Sequence, residues 1–344
     1  MVIFMKYVKL FPFILAVVLL FSSCAPEIEP ENHESEKRSE STAFNEEGKT
    51  SILDEADPVF PEIDTSGDVQ SSATSEGRCF YGARTGTTKT ATGLEPLEKL
   101  DFSLKDMTNS SAIPTETIPY GFGVASDEKP HNISVQNQQF FDEKGFDAIC
   151  YDAETDEKSL YLTFDCGYEN GYTAKILDVL KEKNVKAAFF CTVLQMKDNH
   201  DIIARMINEG HIVGNHSVNH PDFSQISRQE IVDEVKGFDD YIRDNFGYSA
   251  LYFRYPEGKY SENALAAVNE LGYKCVFWSL AYSDWDTEKQ KGASYAHDTV
   301  MERLHPGAVI LLHAVSPDNA NALGSIIDSA RARGYEFRSL DDLD

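Results

Sequence analysis

The chain is short of positive charge. Lys and Arg number 31 against 57 Asp and Glu, a formal net charge of -26 at pH 7. That deficit excludes a protein that holds nucleic acid or anionic lipid through a basic face. Long hydrophobic runs are lacking too. The one apolar run, Leu10 to Phe21, is too short to span a bilayer. From residue 25 to about 95 large apolar side chains are scarce, so no packed core can form there. Cysteine is sparse, at six residues, so each can be weighed by its place.

What is present falls into four parts. Residues 1–24 carry Lys6 and Lys9, the short apolar run, and then Phe21-Ser22-Ser23-Cys24-Ala25. This resembles a bacterial lipoprotein signal, in which Cys24 is acylated and becomes the mature N-terminus. An ordinary signal peptide and an uncleaved anchor are the alternatives. All three place the folded part outside the cytoplasm, tethered to the membrane or secreted. Residues 25–95 are acidic and rich in Ser, Thr and Glu, and read as a disordered linker. Residues 96–117 read as an extended arm, and 118–344 as the folded domain. Of the other cysteines, Cys191 and Cys275 lie in apolar strands and read as buried thiols. A Cys79–Cys150 bridge is one of three pairings open to the four outside Cys24 and Cys166.

From Ala148 onward, strand and helix signals alternate. Strands are predicted at 160–165, 187–192, 212–215, 252–255, 275–280, 308–313 and 336–340. Helices are predicted at 173–183, 201–209, 227–246, 261–271, 293–304 and 319–333. Ser227 with Glu230 forms a capping box, and Gly210, Gly272 and Gly334 stand where helices end. Strict alternation implies a parallel sheet covered by helices. About seven repeats suit a distorted (β/α) barrel, whose chemistry sits at the C-terminal ends of the strands.

The residues at those ends are the ones with chemistry to offer. Leu160–Phe164 is a buried strand that stops at Asp165, Cys166 and Gly167. A buried acid there is costly unless it is used. His216 and His220, four apart, can ligate one metal ion, or are two solvated histidines. Arg254 ends a strand before a Pro256–Gly258 turn and can hold a carboxylate in place. Asp284 and Trp285 follow another strand. Trp285 suits the wall of a sugar site, and Trp278 suits the core. His313 ends the Ile310–Leu312 run and, beside a carboxylate, can act as a general acid.

In order and placement these motifs resemble the polysaccharide deacetylases of carbohydrate esterase family 4, from about Tyr120 to the C-terminus. The residues that carry the resemblance are Thr163–Gly171, Gly214–Asp222, Phe253–Gly258, Trp278–Trp285 and Leu311–Leu323. The Gly167–Gly171 and Ser316–Leu323 stretches point to the peptidoglycan N-acetylmuramic acid deacetylases, whose product goes on to a muramic δ-lactam, as in spore cortex. The resemblance implies a metal-dependent de-N-acetylase acting on peptidoglycan glycan strands, and the chain is expected to be a monomer. Asp165 matches its catalytic base, Arg254 the residue that orients the base, and His216 and His220 the metal-binding histidines. The Tyr255 N–H would stabilise the oxyanion. His313 would protonate the leaving amine, tuned by Asp284. Trp285, Tyr168, Glu169 and Asn170 would contact substrate.

Two positions depart from the family pattern. Cys166 stands where most members carry a second aspartate that binds metal, and Ala281 where many carry a further Asp. Cys166 is therefore a thiolate ligand in a His2Cys site suited to Zn²⁺ (Co²⁺ or Mn²⁺ in its place), or a neutral filler, or a mark of lost metal and lost activity. The corresponding alternatives in function are a deacetylase of another sugar (N-acetylglucosamine in peptidoglycan, chitin oligomers, acetyl-xylan) and an inactive tethered glycan-binding protein.

Overall fold

The structure, a computed structural model, describes residues 89–155 and 157–343. The lipoprotein signal with Cys24, most of the acidic linker, and Cys79 lie outside the described residues. Among the described residues no helix is long and apolar enough to cross a membrane.

In chain order the elements begin with β1 (Ile118–Pro119), α1 (Asn132–Lys144), β2 (Ala148–Ile149), β3 (Ser159–Cys166) and α2 (Thr173–Lys183). Next come β4 (Ala188–Cys191), α3 (Val193–Asp198), α4 (His200–Asn208), β5 (Ile212–Asn215), α5 (Arg228–Phe246) and β6 (Tyr252–Phe253). The chain ends with β7 (Lys259–Tyr260), α6 (Glu262–Glu270), β8 (Lys274–Val276), α7 (Ala293–Glu302), β9 (Ala308–His313), α8 (Pro317–Ala332) and β10 (Glu336–Arg338). All seven expected strands and six expected helices are present.

The main sheet has eight strands, ordered β10-β3-β4-β5-β6-β8-β2, with β9 on the far side of β3. All of its ladders are parallel. β10 and β4 share one edge of β3, pairing with its first and second halves. The sheet curls until Leu280, beyond β8, pairs with Ile310 of β9. That bridge brings the two ends of the curl together and gives the expected distorted barrel.

Period-two alternation sorts the side chains onto two faces. Leu160, Leu162, Phe164 and Cys166 of β3 pack outward with Ile176, Leu177 and Leu180 of α2. Tyr161 points inward with Phe190, Ile212, Tyr252, Val276, Val309 and Leu311. Thr163 and Asp165, at odd positions like Tyr161, share this inner face.

Helix α1 has no counterpart in the sequence reading. Its sequence is mostly polar, and it buries only Ser134, Gln138 and Phe141, so no apolar stripe announces it. The His131 side chain caps its start and Gly145, at φ 70°, ends it. Residues 89–95, read as the end of the linker, instead form a turn docked on the end of α5. The Ala91 N–H donates to Asn245 O at 2.9 Å and the Thr92 hydroxyl to Phe246 O at 2.6 Å. Cys150, Cys166, Cys191 and Cys275 are all free and buried.

Candidate active site

The site begins with Asp165 on the inner face of β3, near its C-terminal end. Arg254, fully buried, donates from Nη1 to Asp165 Oδ1 at 2.9 Å and to the Thr163 hydroxyl at 2.8 Å. Its Nε and Nη2 donate to the carbonyls of Val276 and Phe277 at 2.9 and 3.2 Å. The Phe190 ring lies 4.1 Å below the guanidinium. Gly214 makes room for that ring, since a Cβ there would come within 2.5 Å of it. The arginine is therefore locked, and with it the carboxylate. Burial alone would raise the pKa of Asp165. Arg254, His216 and His313 together outweigh burial and hold it below the usual carboxylate value.

His216 follows β5. Its Nδ1–H donates to Arg254 O at 2.9 Å, which leaves Nε2 as a lone pair 3.7 Å from Asp165 Oδ2. Burial lowers its pKa to about 4 despite the nearby Asp165, so the ring is neutral at pH 7. His220 meets it edge to face, with ring centroids 4.8 Å apart. The loop between them is built for this. Ser217 and His220 both hold positive φ, at 72° and 58°. Ser217 Oγ accepts the His220 N–H, while Glu234 accepts the N–H groups of Val218 and Asn219.

On the opposite side of Asp165, His313 pairs with it in register across β3 and β9. Asp284 holds His313 twice, accepting from its Nδ1–H at 2.7 Å and its backbone N–H at 2.8 Å. Asn319 on α8 donates to Asp284 Oδ2 at 2.5 Å, the oxygen that also takes the His313 backbone N–H. Burial would lower the pKa of His313, but Asp284 outweighs burial and raises it. The result is an ionised carboxylate and a protonatable imidazole facing one space, with the neutral His216 ring and its neighbour His220 lining the same space. Such a pair can supply a base and an acid to one bound molecule.

The space is a cavity of about 1240 Å³. Asp165, His216, His220, His313, Tyr168 and Trp285 all line it. Tyr255 contributes differently. Its ring is buried among Phe253, Phe223 and Phe277, so only its backbone is left for the site.

Three expectations need correcting. Cys166 is fully buried on the outer face of β3, opposite Cys191 in register, and so points away from the histidines. A hydrogen bond with Cys191 and burial both push its thiol pKa up, against a thiolate ligand. Glu169 does not line the cavity. It accepts the Gly171 and Thr173 N–H groups at 2.7 and 3.3 Å and so caps α2. Asn170 donates to Val315 O at 3.0 Å and ties its loop to the end of β9. Asn319 went unread, although it lies in the Ser316–Leu323 stretch. A buried Asn beside the Ser316 cap was the available signal.

Among the described residues no group of three or more His, Cys, Asp or Glu has metal-holding geometry. His216 and His220 stand side by side on the cavity wall. The freed Nε2 of neutral His216 suits a borderline divalent metal.

Relatives of known kind settle the family. A peptidoglycan-N-acetylmuramic acid deacetylase, PdaA of Bacillus subtilis, is 43% identical over 235 residues, which span 68% of this chain and 88% of that one. This chain belongs to the polysaccharide deacetylase family. The family's sequence profile matches residues 152–276. The solved structure of B. subtilis PdaA, a family 4 carbohydrate esterase, superposes with a TM-score of 0.64 at 42% identity, covering 67% of this chain and 98% of that one. A peptidoglycan-N-acetylglucosamine deacetylase of Bacillus cereus is 31% identical over 197 residues, 56% of this chain and 70% of that one. Deacetylases of this kind generally depend on a metal. The assignment gives the chain a reaction class, the hydrolysis of an acetyl group from a polysaccharide.

Proposed function

We propose that this enzyme removes the N-acetyl group of N-acetylmuramic acid in peptidoglycan glycan strands, leaving an amine that closes to a muramic δ-lactam. The observation that carries the chemistry is the pairing of Asp165 and His313 in register on adjacent strands, each with its own charged partner. The choice of sugar is supported by the 43% identity to PdaA against 31% to the N-acetylglucosamine deacetylase.

Asp165, held ionised by Arg254, takes the proton of the attacking water. His216 and His220 would hold a divalent metal, for which we propose Zn²⁺, with Co²⁺ or Mn²⁺ as substitutes. Such a metal supplies Lewis acidity to the acetamide carbonyl and acidifies the attacking water. The Tyr255 N–H stabilises the oxyanion as the carbonyl carbon becomes tetrahedral. His313, protonated and aligned by Asp284, delivers a proton to the leaving nitrogen. Trp285 and Tyr168, both exposed at the rim, offer ring faces to the sugars. A lipid anchor through Cys24 would hold this site at the outer membrane face.

The test is incubation of the full chain with peptide-free glycan strands and Zn²⁺, Co²⁺ or Mn²⁺, followed by mass spectrometry for acetyl loss from muramic acid. Asp165→Asn should slow the reaction by about 10²- to 10⁴-fold. Acetyl loss from glucosamine residues alone would overturn the choice of sugar.

A further inference from the structure

Three basic side chains line the cavity of this acidic protein: Lys197, Lys291 and Arg303. Two of them share one wall. Arg303, the residue that ends α7, donates from Nη1 to the Ala281 carbonyl at 2.6 Å. That contact fixes the guanidinium beside the strand end that pairs with β9, three residues before His313. Lys291 Nζ donates to the Tyr295 hydroxyl at 3.3 Å and lies 4.4 Å from the ring centroid. Tyr295 packs in turn on Tyr282, at 6.0 Å between centroids. Hydrogen bonds from Lys291 and Thr299, and then the charges of Lys291 and Arg303, hold the Tyr295 phenol below its usual pKa. Both cations therefore act on one point of the wall.

Among the described residues neither the Lys291 ammonium nor the Arg303 guanidinium forms an ion pair with a carboxylate; the Asp318 carboxylate beside them takes the backbone N–H groups of Lys291 and Gly292 instead. Lys289, two residues away, is held by Asp286 at 2.7 Å. Arg303 is half-buried, and one carbonyl uses only one of its five N–H donors. A partly desolvated guanidinium without a counter-charge is costly until an anion arrives.

We propose that Arg303 and Lys291 form a carboxylate-binding subsite that takes the lactyl carboxylate of peptide-free muramic acid. This rests on the deacetylase reading above and names what selects its substrate. The lactyl ether is what distinguishes muramic acid from glucosamine, and it brings a negative charge. It sits on the carbon next to the one that carries the acetamide, so a group that grips it also positions the reacting amide. A stem peptide converts this carboxylate to an amide and removes the charge. Lys197 stands on α3 with its ammonium 5.7 Å from the Tyr241 ring and is not part of this pair.

The experiment measures kcat/KM of the full, metal-loaded chain on peptide-free muramyl glycan, on the same glycan with its lactyl carboxyls converted to amides, on strands that keep their stem peptides, and on chitin oligomers. The free acid should be preferred over the amide by roughly ten- to a hundredfold, the worth of a charge-assisted hydrogen bond. Arg303→Gln should bring that ratio towards one. Ala281→Asp, which sets a carboxylate beside the guanidinium, should do the same, whereas Ala281→Asn should keep the ratio. Arg303→Lys should restore part of it. The ratio does not depend on how much of a variant folds. Equal turnover of acid and amide by the wild-type enzyme, or full turnover of strands that keep their peptides, overturns the subsite and leaves the muramyl deacetylase standing. An unchanged ratio in both Arg303→Gln and Ala281→Asp overturns the assignment to this wall. Turnover of chitin with none of any muramyl glycan overturns the substrate reading itself.

Discussion

Asp165 is ionised inside an apolar barrel because Arg254 is fixed beside it, and His313 is basic there because Asp284 is. Each active group thus depends on one charged neighbour, and removing the neighbour should change a pKa before it changes a shape. His313 must be protonated to act as an acid, so kcat should fall as pH rises through its raised pKa. In Asp284→Asn the carboxylate no longer opposes burial, and the pKa falls. The alkaline limb of the pH–kcat profile should therefore move to lower pH, with a loss of about tenfold or more at pH 8. A limb that stays in place would remove His313 from the acid role. Cys166 makes the opposite prediction. It faces α2 and Cys191, so Cys166→Ala should leave metal content and kcat within about twofold while costing about 1 kcal/mol of stability. His216→Ala should lose the metal, as read by elemental analysis of the purified protein.

At the scale of elements, strand ends were the legible part. A run such as Leu160–Phe164, closed by an acid, announces both a buried strand and a site at its mouth. The misreading of Cys166 followed from where that strand was taken to stop. It was expected to end at Asp165, which left Cys166 free to turn into the site. β3 runs through Cys166, and alternation sends neighbouring side chains to opposite faces. Glu169 and Asn170 were misread because a polar loop beside a site looks the same in sequence whether it binds substrate or holds itself together. Helix α1 was missed because its buried side includes Ser134 and Gln138, the latter satisfied by the Ala148 carbonyl and the Cys150 N–H. Caps, by contrast, are local and were readable. The Ser227–Glu230 box starts α5 as expected, with both reciprocal bonds formed. Ser227→Ala should cost about 1 kcal/mol in urea denaturation with kcat unchanged, since the Ser227 side chain bonds only Glu230 at the start of α5 and does not line the cavity.

For the whole molecule, two electrostatic effects oppose each other as pH falls. The net charge of -26 at pH 7 shrinks as carboxylates are protonated, which relieves self-repulsion and favours the folded state. Buried histidines act the other way. His211 and His305 are both buried, and burial lowers the pKa of each to about 4. His211 uses Nδ1 as an acceptor for the Ala187 N–H, a bond that protonation would break. Nε2 of His305 has no partner among the described residues. A base whose pKa is depressed on folding contributes its full stability above the unfolded value of about 6.5 and loses it as pH falls towards 4. Each should cost on the order of 3 kcal/mol at the bottom of that window. Salt separates the two effects, because it screens the exposed carboxylates and barely reaches the buried rings. In high salt the urea midpoint should therefore fall steadily from pH 6.5 to 4.5, and His305→Gln should flatten the fall. A midpoint that rises over that window in high salt would mean that relief of surface repulsion, rather than the buried imidazoles, governs the acid limb of stability.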